Sequence, residues 1–405
     1  MSYTNGLDKP TDYFNTLLYT GDGSSSRSIT GVGFAPDWIW VKERSSTSAH
    51  QLVDNVRGFD KRLQSDSNDP EDDDSSPFLD FKSLDSDGWT MGNGGAINES
   101  GQTYVSWNWL AGGTAPAITY SVKVVSDSGN KYRFDDFGTS AVTLDLQEGG
   151  TYTFDQSDSS NSGHPLRFST TSDGSHGGGS EYTTGVTTTG TPGSAGAKTV
   201  ITVGSGVATL YYYCTQHSGM GGQANTNSTF GSSNFAGGTQ STVSANTTAG
   251  FSIINWAGSS SASVQTIGHG LGTTPNWILS KNRGSGSSIT AWINYHHKID
   301  ASAPEDYTIY LNNNDARNDN IVFNDTAPTS TVFSFNTGTD DQNYISYCFA
   351  EKKGFSKFGS YTGNGNANGP FINTGFKPAF IITKPSSTGG TYYNWGMWDT
   401  ARSPS

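Results

Sequence analysis

Gly33-Phe-Ala-Pro36-Asp-Trp38-Ile-Trp-Val-Lys42 decides the fold, because the chain writes this stretch three times. It returns as Thr274-Pro275-Asn-Trp277-Ile-Leu-Ser-Lys281 and as Gly375-Phe-Lys-Pro378-Ala-Phe380-Ile-Ile-Thr-Lys384. In each copy a proline leads a run of aromatic and β-branched residues that ends in lysine. Proline is tolerated at the head of a strand and not inside one, so each copy reads as a strand. Some 17 to 19 residues before the proline sits a second landmark: Leu18-Tyr19-Thr-Gly21, Asn255-Trp256-Ala-Gly258 and Ser360-Tyr361-Thr-Gly363. A third follows the proline by 71 or 72 residues, as Tyr104-Val-Ser-Trp107-Asn-Trp109 and Tyr344-Ile-Ser-Tyr347-Cys-Phe349. Three landmarks at nearly constant spacing mark an internal duplication.

The spacing also places an insertion. Pro275 and Pro378 lie 103 residues apart, whereas Pro36 and Pro275 lie 239 apart. The excess falls between Gly113 and about Ala249. Within a repeat, Asp37–Lys42 and Thr103–Trp109 alternate as sandwich strands do, and Asp85-Ser-Asp-Gly88 is turn chemistry feeding the strand at Trp89. Trp38 and Trp40 share one face of their strand, as do Trp107 and Trp109, and these faces are expected to be core. The expected class is all-β, with tandem antiparallel β-sandwich repeats. The divisions are 1–113 for repeat 1, 114–223 for an inserted domain, 224–249 for a Gly/Ser/Thr/Asn-rich linker, 250–354 for repeat 2 and 355–405 for the start of repeat 3. Repeat 3 stops in mid-motif at Asp399-Thr-Ala-Arg402, the match to Asp54-Asn-Val-Arg57. Half a sheet neither buries its face nor pairs its edge. The expectation is that the natural chain continues past Ser405 or that another chain supplies the missing strands.

Composition narrows the function classes. Of 405 residues 51 are glycine, and charged residues make up 15% while aromatics reach 12%. That aromatic content is wrong for a disordered chain, and the glycines keep no collagen period. Net charge is −13 with no basic cluster, which argues against nucleic acid as a partner. No run of apolar residues is long enough for a membrane-spanning helix, and no secretion leader is visible. Two distant cysteines, Cys214 and Cys348, make no disulfide framework.

The repeat itself, from Asp12-Tyr-Phe-Asn15 through Gly31–Lys42, Asp54–Arg57 and Asp85–Trp89 to Tyr104–Gly112, resembles one found in virion-associated proteins of marine tailed phages. Those units are similar to concanavalin-like lectin sandwiches. The resemblance covers residues 12–113 and, more loosely, 250–405. It implies a virion structural protein, a tail fibre, head fibre or similar appendage, with no catalytic residues and not an enzyme. It would be assembled in the host cytoplasm with other virion proteins as a homo-oligomer, a trimer by preference. Its role would be attachment through host-surface glycans or another receptor.

The insertion carries the sharpest chemical pattern: Tyr211-Tyr-Tyr-Cys214-Thr-Gln-His217-Ser-Gly-Met220, with Gly163-His164-Pro upstream. One early histidine followed by C-x2-H-x2-M is similar to the copper site of the cupredoxin family, over about residues 117–223. The resemblance implies an inserted Greek-key cupredoxin-like sandwich with His164, Cys214, His217 and Met220 as ligands of one type 1-like copper. A thiolate and two imidazoles suit both copper oxidation states, and a thioether is a weak axial ligand. A copper-dependent redox or electron-transfer protein is therefore the alternative function.

Three further groups are weighed against this. Asp69-Pro-Glu-Asp-Asp-Asp74 could take calcium, but charge runs are usually solvated loops. Asp85 and Asp87 could serve a glycan-degrading enzyme, the distant alternative. Adjacent His296 and His297 would point to opposite faces of a strand and cannot share a metal. His176, in the glycine-rich Asp173–Gly179, reads as a solvated loop residue, and Trp292, Trp395 and Trp398 as loop aromatics that could stack on sugars.

Overall fold

The computed structural model describes residues 7–73, 81–113, 115–226, 230–286, 289–391 and 393–402. The chain is all-β and divides into two compact units, Met1–Ala111 with Ala245–Ser405, and Gly112–Ser244.

In the larger unit, repeats 1 and 2 fold alike. The main sheet of repeat 1 runs in the order Phe14–Thr20, Thr103–Trp109, Trp38–Glu43, Gln51–Asp54, Gly58–Leu63, Asp72–Asp73. In repeat 2 the order Phe251–Ala257, Asn343–Phe349, Trp277–Asn282, Ile293–His296, Tyr307–Tyr310, Asn318–Asp319 repeats it. Register is also kept: Trp38 pairs with Trp109 and Trp40 with Trp107, as Trp277 pairs with Phe349 and Leu279 with Tyr347. The proline-led strand is central in both, so it must be apolar on two faces. Ile39 and Val41 face a small covering sheet of Arg27–Thr30, Gly88–Met91 and Phe81–Asp85. Trp38 and Trp40 face the other way.

That second face joins the tandem sandwiches to one another. The Trp38 ring stacks on Tyr347 of repeat 2 at 4.5 Å and 21°, and Phe380 of repeat 3 lies 5.5 Å from Phe14 and 5.8 Å from Trp107. One core is thus shared by three repeats. Polar contacts follow the same plan. Tyr347 of repeat 2 donates to Asp54 of repeat 1, and Trp107 of repeat 1 donates to Asp399 of repeat 3. Trp292 of repeat 2 donates to the Gln64 carbonyl of repeat 1, and Trp395 of repeat 3 to the Tyr310 carbonyl of repeat 2, each at 2.7 Å. Every pair of repeats is joined, and equivalent residues do the joining, so the three close on one another as a ring. Trp292, just ahead of the strand Ile293–His296, is therefore a fully buried core residue with no ring face free to stack on a sugar.

The smaller unit is a sandwich of two sheets. One has the order Asn130–Phe134, Ala117–Ser126, Thr151–Asp155, Lys198–Thr202, Val186–Thr189; the other Leu144–Asp145, Gly222–Asn225, Leu210–Cys214, Leu166–Ser169. Thr151–Asp155 shows the strict alternation of a half-buried strand, with Tyr152 and Phe154 inward. Described residues within 224–249, read as a linker, are packed into the fold instead. Ser232–Asn234 and Ser241–Asn246 pair as strands, Phe235 enters the core beside Tyr120 and Phe134, and the Tyr120 hydroxyl donates to the Ser233 carbonyl at 2.8 Å.

Candidate metal centre

The smaller unit brings three of the four sequence-selected residues together at one end of a sheet. Cys214 closes the strand Leu210–Cys214, and Leu166, two residues after His164, pairs directly with it. The chain then loops through His217 and Met220 and returns as Gly222–Asn225 against the strand it left. The return is tight: a Cβ on Gly221 would lie 1.7 Å from the Tyr212 carbonyl oxygen. Only glycine fits there, so the loop that carries His217 and Met220 is clamped at its exit.

Cys214 Sγ lies 3.9 Å from Nδ1 of His164 and 3.7 Å from Nδ1 of His217, and the three ligand atoms are all within 4.8 Å of one another. A metal bonded to sulfur at about 2.3 Å and nitrogen at about 2.0 Å, with the ligands 120° apart, separates those two atoms by about 3.7 Å. Both sulfur–nitrogen separations are therefore those a metal would set, in a group of one soft thiol and two imidazoles. Cys214 is buried, His164 partly so and His217 exposed, which leaves one edge of the cluster open to solvent. Burial and the neighbouring His217 hold the His164 ring below its ordinary pKa, so at neutral pH it is the uncharged imidazole that can coordinate.

Surrounding groups hold the backbone at His164, Cys214, Gly219 and Met220. The His164 carbonyl accepts from the Tyr132 hydroxyl at 2.9 Å and from Gln156 Nε2 at 2.8 Å. His176 is not a free loop residue: its Nε2 lies 3.0 Å from the Cys214 carbonyl oxygen, and its segment Gly174–Gly177 is a turn of 3-10 helix. Asp173 accepts from the Gly219 N–H at 2.8 Å, tying that turn to the ligand loop. Met220 is buried in the core cluster that contains Cys214 and Tyr132, and its carbonyl accepts from the Tyr132 N–H at 3.0 Å.

The other candidates separate from any such cluster. Glu71 accepts Arg283 in a bidentate pair at 2.7 Å and Arg57 at 3.0 Å, and Asp72 pairs with Arg62. Two carboxylates of the candidate calcium run are thus spent on arginines; Asp74 lies outside the described residues. Asp87 accepts the backbone N–H groups of Gly31 and Gly33, and Asp85 the hydroxyls of Ser83 and Thr90. Both acids hold turns. His296 Nδ1 accepts the Lys298 N–H, while His297 reaches Asn276 and the Phe358 carbonyl. Cys348 is buried in repeat 2, where desolvation pushes its thiol well up. Among the described residues, the His164–Cys214–His217 group alone gathers three metal-binding side chains, and no helix is long and apolar enough to cross a membrane.

Missed by sequence reasoning was a buried ion pair. Asp54 takes Arg57 Nε at 2.6 Å with both side chains fully buried, and the buried Asp399 takes the partly exposed Arg402 Nε at 2.6 Å. The recurrence of Asp-x-x-Arg in the two repeats was the available signal.

Fold and site together define an all-β protein of three repeats around a shared core, with an inserted sandwich bearing a thiol–imidazole cluster. The chain belongs to the family described as a domain of unknown function, DUF7483, whose model matches residues 9–135 and 224–405. That match passes over all four candidate ligands, so family membership speaks for the repeats and not for the cluster. No curated protein and no solved structure matches the chain.

Proposed function

We propose that the smaller unit, a cupredoxin-like domain, would hold one copper ion through His164 Nδ1, Cys214 Sγ and His217 Nδ1, with the Met220 thioether as a weak fourth ligand. The observation that carries this is the spacing of sulfur and nitrogens at 3.7 and 3.9 Å in a chain whose ligand loop is clamped by Gly221. Zinc would ask for a closed set of four strong ligands at a structural site, and three strong ligands plus a thioether suit copper better. Bound copper would supply one-electron exchange, with the exposed His217 edge as the side from which an electron enters or leaves. The protein's own part is to keep the thiol out of water, to keep His164 uncharged and to hold the loop in place through Asp173 and His176.

Adding Cu(II) to the full chain tests this. An intense visible thiolate-to-copper band that reaches its limit at one equivalent, and is absent from Cys214→Ser, is the expected result. A folded protein that takes up no copper, or takes it up without the band, overturns the assignment.

The larger unit supports a structural reading of the whole. Equivalent contacts join every pair of its repeats around one core, and this suits a rigid component of a tailed-phage appendage better than an enzyme cleft. In that reading the protein is a homotrimer within the virion, assembled in the host cytoplasm with other virion proteins. Lectin-like repeats position the particle on host-surface glycans, and the copper domain is borne on the same chain. Retention of the full chain on immobilised host glycans, relieved by free sugar, is the expected result; no retention on intact host cells removes the attachment role.

A further inference from the structure

One residue reaches three of the four proposed ligands, and it comes from the facing sheet. Tyr132 lies in the strand Asn130–Phe134, whereas Cys214 closes the strand Leu210–Cys214 of the other sheet. Tyr132 and Phe134 are the inward residues of their strand, so the phenol points across the sandwich. Its backbone N–H donates to the Met220 carbonyl at 3.0 Å, and its hydroxyl donates to the His164 carbonyl at 2.9 Å. Its ring is packed in the core cluster that holds Cys214 and Met220, 6.4 Å from the ring of Tyr212. Burial first, then the Cys214 thiol by its charge and as a hydrogen-bond partner, hold this phenol well above its ordinary pKa, while Arg167 acts the other way. Near neutral pH it is therefore a protonated donor.

A phenol has one proton to give, and the His164 carbonyl and the Cys214 sulfur both lie beside it. A neutral thiol is a weak acceptor, so against it the carbonyl wins. A thiolate carries charge, and hydrogen bonds to charged acceptors are roughly twice as strong as neutral ones. The metal-bound form of a cysteine is the thiolate. Giving up the hydroxyl does not strand the His164 carbonyl, because Gln156 Nε2 also donates to it at 2.8 Å.

We infer that Tyr132 tunes the metal centre: its O–H turns from the His164 carbonyl to the Cys214 sulfur when that sulfur is a metal-bound thiolate, and there it favours the reduced ion. The inference rests on the copper reading above. Hydrogen bonding around the cysteine sulfur is one of the levers that set the potential of such a site. A sulfur that accepts a hydrogen bond gives less charge to the oxidised ion, which raises the potential. Tyr132 itself does not touch the ion, so its part is that of a positioning residue.

Tyr132→Phe in the copper-loaded full chain is the test, since it keeps the ring and removes only the hydroxyl. Copper should still bind with a thiolate-to-copper band, and that band should move to longer wavelength. The equilibrium between the two copper states should shift at least tenfold toward the oxidised one, a fall of about 59 mV for a one-electron couple. Replacing Tyr132 by 3,5-difluorotyrosine, a stronger donor of nearly the same shape, should move band and potential the opposite way. An unmoved band and potential in loaded Tyr132→Phe overturn the tuning role and leave the copper assignment standing. Shifts of the same sign in both variants trace the effect to packing and overturn it too. Should Tyr132→Phe fail to fold or to load, a difluorotyrosine chain with an unchanged potential overturns it. An unsubstituted chain without the thiolate-to-copper band removes the copper reading, and this inference with it.

Discussion

The Tyr347 hydroxyl donates to Asp54 Oδ2 at 2.7 Å, joining residues 293 positions apart. Both are fully buried, and the same carboxylate oxygen takes Arg57 Nε at 2.6 Å. A hydrogen bond to a buried charge is worth about 1.5–3 kcal/mol, and losing one member of a buried ion pair about 3–5 kcal/mol. Tyr347→Phe should therefore lower the stability of the larger unit by about 1.5–3 kcal/mol, and Asp54→Ala by about 3–5 kcal/mol. Urea unfolding followed by near-ultraviolet circular dichroism of the packed tryptophans measures both; a neutral Tyr347→Phe would mean that the contact does not join the repeats.

Acid should weaken the larger unit before its carboxylates titrate. His50 Nδ1 accepts the Trp40 indole N–H at 2.8 Å, and His296 Nδ1 accepts the Lys298 N–H at 3.1 Å. A protonated ring cannot accept there. Burial, followed by Lys42, pushes His50 down to about 3, and burial, followed by His297, pushes His296 down to about 4. Unfolded, both titrate near 6.5, so below that pH the unfolded chain binds more protons than the folded one. Stability is then full above pH 6.5 and falls toward pH 4, at up to about 1.4 kcal/mol per pH unit for each histidine. Unfolding free energies from denaturant titrations at pH 7 and pH 5 should differ by on the order of 3 kcal/mol, and His50→Gln with His296→Gln should flatten the slope.

The ligand loop depends on Gly221. An alanine there meets the Tyr212 carbonyl, so strand or loop must move. Gly221→Ala should cost about 1–3 kcal/mol or more in the smaller unit and lower copper affinity at least tenfold. Thermal unfolding and competitive copper titration read the two effects. Unchanged affinity in the folded variant would show that the loop does not position the ligands.

Copper should stabilise that same unit by mass action. Free copper at one hundred times the dissociation constant adds about 2.7 kcal/mol to its unfolding free energy. Calorimetry should show the smaller unit's transition rise on copper addition, with no rise for Cys214→Ser. A rise that survives the substitution would place the ion elsewhere.

Much of this was legible in the sequence because strand chemistry is local. Pro36, Pro275 and Pro378 mark three equivalent strands, and the alternation around Trp38 puts both tryptophans on one face. Cys214 and His217 were legible because they share one loop after a strand, whereas His164, 50 residues earlier, was pointed to only by the resemblance of the pattern to a cupredoxin copper site. Residues 224–249 were misread because serine and glycine look like linker, yet Ser232 is buried with its hydroxyl on Tyr152 and Ser233 accepts from Tyr120. The shared core was hidden for a different reason. Trp38 and Tyr347 are each at home in a sandwich, and nothing within either strand says that the facing sheet belongs to another repeat. Nothing near Asp54 in the sequence announces its burial, since its partner Tyr347 lies 293 positions along the chain.

X-ray absorption at the copper edge of the full chain, loaded with one equivalent of copper, tests the metal centre most directly. A site made by His164, Cys214 and His217 predicts one sulfur and two imidazole nitrogens in the first shell, with the sulfur gone in Cys214→Ser. A first shell of nitrogen and oxygen alone, unchanged by that substitution, would contradict it.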